Sequence, residues 1–292
     1  MKALGQIWFV GAGPGDPDLI TVKGRRLVEQ AGAILYAGSL VDPAATRWAA
    51  PDCLRQDSSG MTLEAIGAWL IAAARRHPCV VRLQTGDPAI YGALPELTRG
   101  LDAAGVPWQV VPGVTAATAA AAAAGISLTL PEGTQTLILT RAAGRTPVPA
   151  GEDLRALAAH GCTLCIYLSV RLLPQVQQAL RAAGWPATAP LLVVQRASWA
   201  GAERIVRGTL SDIDARCATA GIDAQAMIIA GPTLALDSGP PPARSRLYDP
   251  AFSHGYRRAE PAADPAGTAP SRSAAAPPGT SAHPNEPEPN SE

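Results

Sequence analysis

The sequence predicts an α/β protein of two α/β domains with a ligand cleft between them, and a mixed second sheet. Three observations carry that prediction. Short apolar runs alternate with longer helical patterns from Ile7 to Val111, the rhythm of a mostly parallel sheet covered on both faces. The rhythm breaks at Pro112-Gly113-Val114-Thr115 and resumes from Thr136 to Ile229, so the domain junction is expected there: residues 1–112 form one domain and 113–258 the other. Two glycine-and-aspartate turns follow apolar runs, Gly11-Ala12-Gly13-Pro14-Gly15-Asp16-Pro17 and Thr85-Gly86-Asp87-Pro88. Such turns at strand ends are where open α/β folds hold ligands.

Element by element, Ile7 to Val10 is a short apolar strand, and Thr21 to Gln30 a helix with Leu27 and Val28 on its inner side, Thr21 as a candidate cap and Gly32 at its end. Ala33 to Tyr36 is a strand. Met61 to Arg76 is a helix, with Thr62 as N-cap and apolar Leu63, Ile66, Leu70 and Ile71 at helical spacing. Strand Cys79 to Leu83 is interrupted by Arg82, then helix Ala93 to Ala103 and strand Trp108 to Val111 follow. Past the alanine helix 116–124, the second half has strand Thr136 to Thr140, helix Leu154 to His160, strand Leu164 to Leu168, helix Leu172 to Ala183, and strands Leu191 to Gln195, Arg204 to Thr209 and Ala226 to Ile229. The short spacing between Leu191 and Thr209 predicts antiparallel neighbours, hence the mixed sheet.

Composition narrows the function. The chain has 292 residues with 24 basic and 24 acidic side chains. Its last 34 residues, Ala259 to Glu292, contain eight prolines and no Val, Ile, Leu, Met, Phe, Tyr, Trp or Cys, and are expected to be disordered. Taking away the one arginine and five acids of that tail leaves 23 basic and 19 acidic residues, a formal +4 on residues 1–258. Lys2 and Lys23 are the only lysines, so the basic charge is arginine, suited to bidentate carboxylate or phosphate recognition. A dense basic face is lacking, and no nucleic acid is expected. No apolar run is long enough to span a bilayer, and Met1 to Gln6 leaves no room for a signal peptide, so no membrane association and a cytoplasmic location are expected. Cys162 and Cys165 imitate a CxxC pair, but in a strand they point to opposite faces and are expected to be buried small hydrophobes. The histidines have no ligand spacing, and no metal site is expected.

The first glycine turn is not a dinucleotide fingerprint. Its glycines alternate, Pro14 removes an N–H, and no acid closes the strand ending at Tyr36. Gly11, Gly13 and Gly15 either let a large ligand approach the backbone or serve the turn itself, and Asp16 and Asp18 either face a ligand or stabilise the following helical turn. The hydroxyl of Thr115 either caps the alanine helix or borders a ligand. No nucleophile dyad or triad and no paired carboxylates stand out. Methyl transfer from a sulfonium donor fits this lack, because the leaving group departs neutral and the protein chiefly aligns and desolvates the partners.

Three segments resemble the tetrapyrrole methylase family: Val10-Gly11-Ala12-Gly13-Pro14-Gly15-Asp16-Pro17, Leu83-Gln84-Thr85-Gly86-Asp87-Pro88 and Pro112-Gly113-Val114-Thr115-Ala116. Leu35-Tyr36-Ala37-Gly38-Ser39-Leu40-Val41, Leu130 to Pro149, Arg196-Ala197-Ser198-Trp199 and Leu247 to Arg257 resemble the branch that methylates C11 of precorrin-4 in cobalamin biosynthesis. The resemblance covers about residues 5–258 and implies two α/β domains, S-adenosyl-L-methionine as methyl donor with S-adenosyl-L-homocysteine as product, a small-molecule tetrapyrrole acceptor and a homodimer. Metal-free precorrin-4 is the first expectation, cobalt-precorrin-4 the second, and modification of RNA or protein a more distant one. Carried over by position, the donor site comprises Pro14, Thr85, Gly86, Asp87, Ile90, Thr115, Ala116, Leu168 and Ala197. The resemblance implies that the first glycine loop faces the tetrapyrrole, with Gly11, Gly13, Gly15, Asp16, Ser39, Arg141 and Arg145 as its contacts. Asp16 and Asp87 are positioning candidates and no residue is a certain catalyst. Arg55, Arg82, Arg171 and Arg196 are further candidates for the eight substrate carboxylates. The chain departs from many relatives in having Thr85 where they carry Gly, and Leu168 where they carry Met.

Overall fold

A computed structural model describes residues 3–237 and 245–259. The expected disordered tail, residues 259–292, lies outside the described residues except for Ala259. The chain divides into two compact units, Met1–Ala243 and Arg244–Glu292.

The first unit holds two five-stranded sheets. The first is built from β1 (Gln6–Gly11), β2 (Ala33–Tyr36), β3 (Leu54–Asp57), β4 (Cys79–Gln84) and β5 (Trp108–Val111), in the spatial order β3-β2-β4-β1-β5. Every pairing in it is parallel. Helix α1 (Val22–Gln30) starts at Thr21, whose Oγ1 accepts from the Gly24 N–H at 3.1 Å, and packs Leu27 and Val28 with Val10, Ile34, Val81 and Leu83 on one face. On the other face α2 (Leu63–Ala74) and α3 (Leu94–Ala103) bring Leu70, Leu97 and Leu101 against Ile7, Phe9, Leu35 and Val80. Thr62 caps α2 as the sequence predicts, accepting from Ala65 N–H at 3.3 Å. Burial of such aliphatic side chains contributes about 1.5–3 kcal/mol each, and the period-two alternation of β1 and β4 supplies both faces at once.

Helix α4 (Ala116–Ala124) leads into the second sheet, β6 (Leu137–Arg141), β7 (Thr163–Tyr167), β8 (Pro190–Gln195), β9 (Arg204–Thr209) and β10 (Ala226–Ala230), in the order β6-β7-β10-β8-β9. Only β6 and β7 pair in parallel; β10 runs antiparallel to β7 and β8, and β8 to β9, so this sheet is mixed. One face is covered by α5 (Leu154–Ala158), α6 (Leu173–Ala182) and α7 (Ile213–Thr219), the other by α4. The alanines of α4 are a close-approach surface: Ala117 and Ala120 pack on Cys165, Val194 and Met227. Cys162 and Cys165 fall in the cores on opposite faces of this sheet, and burial raises both thiols, Cys165 to about 12. They are packing groups, as expected.

Two elements have no counterpart in the sequence reading. Strand β3 is an edge strand with Leu54, Arg55 and Gln56 all exposed, so it carries no apolar alternation. Helix α7 is only seven residues long and buries just Ile213 and Cys217. In the second unit, the described residues 245–259 contain a short 3-10 turn (Arg246–Tyr248) and a His254–Arg257 bridge, with the Arg257 guanidinium donating to the carbonyls of Leu247 and Asp249. No described helix is long and apolar enough to cross a membrane.

Candidate active site

Strands β4, β1 and β5 are consecutive and parallel, so the turns that follow them emerge side by side at one sheet edge. These turns are the Thr85-Gly86-Asp87 loop, the Gly11 to Asp16 loop and the Pro112 to Thr115 segment. Pairing extends beyond the strands into the loops: Gly86 N–H donates to Gly13 O at 2.8 Å and Gly13 N–H to Gly86 O at 3.4 Å. A Cβ on Gly11 would stand 2.6 Å from Gly113 Cα and from Gly86 O, and one on Gly113 would stand 2.1 Å from Gly86 O. The three loops are therefore packed backbone to backbone. Asp87 fastens the loop after β4 to that after β5: its Oδ2 accepts from Gly113 N–H at 3.0 Å, and its Oδ1 from Ala89 N–H of its own loop at 2.8 Å.

The second half contributes the turns after β7 and β8. Leu168, just past β7, sits at φ 54° and is 66% exposed. After β8, Arg196 and Ser198 also adopt left-handed backbone. That conformation delivers Trp199 across the cleft, where its Nε1–H donates to Pro14 O at 2.9 Å while Asp16 N–H donates to Ser198 Oγ at 3.0 Å. A Cβ on Gly15 would lie 1.9 Å from Trp199 Cδ1, so the indole occupies the space that this glycine leaves. On the other side Gln225 Nε2–H donates to Ser39 O at 2.8 Å. The cleft is thus laced from both halves.

Between these loops lies a cavity of about 360 Å³. All nine residues carried over to the donor site line it: Pro14, Thr85, Gly86, Asp87, Ile90, Thr115, Ala116, Leu168 and Ala197. Arg171 and Arg196 line it as well; Arg171 pairs with Asp223 at 3.4 Å and Arg196 Nε–H donates to Gln225 Oε1 at 2.6 Å. Sequence reasoning missed Tyr91, Tyr167, Asp223, Gln225 and Met227. Tyr167 and Met227 belong to strands whose apolar pattern reads as core, while Tyr91 directly follows Ile90 in the second aspartate loop and so carried the better signal.

The other candidates fall elsewhere. Gly11, Gly13, Gly15, Asp16, Ser39, Arg141 and Arg145 are not among the residues lining this cavity. A Cβ on Gly11 or on Gly15 would meet protein atoms of neighbouring loops, and Gly13 needs its φ of 81°. Asp16 serves its turn, accepting from Asp18 N–H at 2.8 Å. Thr115 does not make the expected cap, because its hydroxyl pairs instead with that of Tyr167. Arg141 donates to Thr146 O at 3.1 Å and Pro147 O at 2.6 Å, bracing its own turn. Arg145 is exposed, and Arg55 donates to the carbonyls of Ala49 and Ala50. Arg82 is buried, with its pKa lowered to about 10 by desolvation, and donates to Ser58 Oγ at 2.7 Å beside Asp57. Asp57 in turn accepts from Ser59 and Gly38 N–H groups, which hold its carboxyl below the usual range, so this cluster anchors the Gly38–Ser39 turn from beneath.

Burial raises the hydroxyls of both Tyr91 and Tyr167, which therefore stay neutral near pH 7, and the carboxylate oxygens of Asp87 are both engaged by N–H donors. No group of three or more His, Cys, Asp or Glu suited to a metal ion occurs among the described residues. The arrangement is one that binds and aligns.

Residues 6–214 match the family model of tetrapyrrole (corrin/porphyrin) methylases. The chain belongs to this family. Among curated tetrapyrrole methylases it is 46% identical over 253 residues to the cobalt-precorrin-4 C(11)-methyltransferase of Priestia megaterium, covering 87% of this chain and 98% of that one. It is 45% identical to the precorrin-4 C(11)-methyltransferase of Pseudomonas aeruginosa, covering 87% and 99%. Among solved structures, that of a cobalt precorrin-4 methyltransferase of cobalamin biosynthesis superposes with a TM-score of 0.76 at 47% identity, over 78% of this chain and 95% of that one. A uroporphyrin-III C-methyltransferase from Thermus thermophilus, solved with S-adenosyl homocysteine, gives 0.65 at 32%, over 80% and 100%. The two α/β halves and the mixed second sheet are the tetrapyrrole methylase fold.

Proposed function

We propose that this protein methylates C11 of precorrin-4 with S-adenosyl-L-methionine, releasing precorrin-5 and S-adenosyl-L-homocysteine in cobalamin biosynthesis. The observation that carries the reading is the convergence of nine donor-site residues, drawn from separate loops of both halves, on one cavity. Its size lies within the range of about 300–1,000 Å³ typical of small-molecule sites. Its walls suit the donor: Val194, Met227, Ala116 and Ala197 offer an apolar face to a flat heteroaromatic group, and polar groups stand at Thr85, Asp223 and Gln225.

The donor, when bound, supplies an electrophilic methyl on a sulfonium. The protein's share is positioning and water exclusion: Asp87 holds the loops after β4 and β5 together, and the Trp199 and Ser198 contacts hold the glycine loop against the donor cavity. C11 is a ring carbon without a hydrogen, so the transfer itself requires no proton to be taken from it. That agrees with a cavity whose tyrosines are neutral and whose Asp87 is fully engaged. In this reading residues 1–112 form the wall for the tetrapyrrole and residues 113–258 share the donor site. Arg141 and Arg145 receive substrate carboxylates beyond the donor cavity, with Ser39 and the Gly11 to Asp16 loop facing the macrocycle.

Incubation with precorrin-4 and methyl-labelled donor, followed by NMR, is expected to place the label at C11. Label at C17, C20 or on no tetrapyrrole carbon overturns the assignment. A second reading, the cobalt-loaded substrate, is favoured by the relative at 46% identity that bears that name. Parallel turnover of metal-free and cobalt-loaded precorrin-4 separates the two, and exclusive use of the cobalt form refutes the first choice. A cytoplasmic homodimer completes the proposal. Exposed Leu139 on edge strand β6 is compatible with a partner copy, and sedimentation should return twice the 30.0 kDa chain mass.

A further inference from the structure

Tyr91 is held in a conformation that its side chain disfavours. Its φ is 55°, and Ala93 two residues on is also left-handed at 50°. Such backbone in a non-glycine residue persists only where the surroundings over-determine it. Here they do: Ile90 N–H donates to Asp87 O at 3.1 Å, Ala89 N–H to Asp87 Oδ1 at 2.8 Å, and Gln84 Nε2–H to Gly92 O at 2.6 Å. A Cβ on Gly92 would meet Pro88 O at 2.2 Å, so the turn is closed tightly beneath the tyrosine.

This bracing sends the ring of Tyr91 from the first half to the second. Its centroid lies 5.4 Å from that of Tyr167, with the planes at 55°, and Tyr167 is tied through its hydroxyl to Thr115. The ring also lines the donor cavity, yet the residue remains 49% exposed, and its hydroxyl is within electrostatic reach of Arg141 and Glu152. Tyr91 therefore stands at the border of the donor cavity, between it and the Arg141 turn.

Building on the function proposed above, we propose that Tyr91 is a specificity-determining residue for the acceptor: its exposed ring face packs on the flat macrocycle and sets the reacting carbon against the mouth of the donor cavity. A rigid aromatic surface packs on a broad ligand face and resists compression, whereas an aliphatic side chain would let the macrocycle slide. The Tyr167 contact keeps the ring from folding into the donor cavity and fixes the spacing between the two ligands.

The test compares wild type with Tyr91→Phe, Tyr91→Ala and Tyr91→Gly, the last of which also relieves the left-handed strain. Titration with S-adenosyl-L-homocysteine alone reads the donor cavity, and single-turnover transfer to precorrin-4 reads the acceptor. Because Tyr91 is one of many residues lining the donor cavity, donor affinity is expected to fall by at most about fivefold in the alanine and glycine variants, while the rate of transfer falls about 100-fold and the KM for the tetrapyrrole rises by up to about tenfold. The phenylalanine variant is expected to stay within about threefold of wild type in both, because the ring and not the hydroxyl makes the contact. An alanine variant that transfers methyl at the wild-type rate, or one whose loss follows a parallel loss of donor affinity, overturns the assignment. Failure of the wild type to label precorrin-4 sinks the functional reading itself, and so is distinguished from failure of Tyr91 alone.

Discussion

Gly113→Ala is expected to melt about 6–12 °C below wild type, the consequence of a Cβ placed 2.1 Å from Gly86 O and 2.8 Å from Gly11 Cα. Both obstacles are backbone atoms. No rotamer change relieves the clash, and the loops after β4, β1 and β5 must separate. Overpacking of this kind costs about 3 kcal/mol, at the upper end of the usual range. In a folded unit of this size that corresponds to the shift given, at about 2–4 °C per kcal/mol. Because the displaced loops line the cavity, affinity for S-adenosyl-L-homocysteine should fall with stability. Gly67→Ala in α2 is the control: nothing lies within 4 Å of its Cβ, and the helix should gain about 0.5–1 kcal/mol. Thermal melts of the pair check the sign at each position. A Gly113→Ala protein melting with wild type would mean that the packing of these loops is looser than described.

Asp87→Ala should affect the reaction more than the fold. Its two oxygens hold Gly113 N–H and Ala89 N–H, the first joining the loop after β4 to that after β5 and the second shaping the turn that carries Ile90 and Tyr91. Removing both acceptors frees the rim of the donor cavity. We expect donor affinity to fall about tenfold and kcat/KM about 100-fold, in keeping with the steep dependence of transfer on alignment. Asp87→Asn should lie between, since its amide keeps one acceptor oxygen and presents an NH₂ to an N–H where the second stood. Calorimetry with S-adenosyl-L-homocysteine and steady-state kinetics check this, with circular dichroism confirming the fold. Unchanged affinity and rate in a folded Asp87→Ala protein would remove Asp87 from the donor loop.

Much of this was legible along the chain because the signals are local. The alternation of strands and helices, the caps at Thr21 and Thr62, and the opposed faces of Cys162 and Cys165 depend on neighbours within a few residues. Edge strand β3 escaped because its residues are exposed and leave no apolar alternation. Along the chain Arg82 reads as a candidate for substrate carboxylates because its charge is visible there, but period two turns it inward to Ser58 and the vicinity of Asp57. The Thr115 hydroxyl looked like a helix cap because only the fold brings Tyr167, 52 residues away, within its reach.

The residue types and spacings alone thus defined two α/β halves with a mixed second sheet, since propensity and hydrophobic period act over short distances. Strand order was decided only in three dimensions. Placing β1 between β4 and β5 sets Gly11 against Gly86 and Gly113, and the reach of Trp199 across the cleft fills the space beside Gly15. A side chain's absence in the sequence says that something approaches closely but not what it is, and at Gly11, Gly15 and Gly113 the close neighbours are other loops.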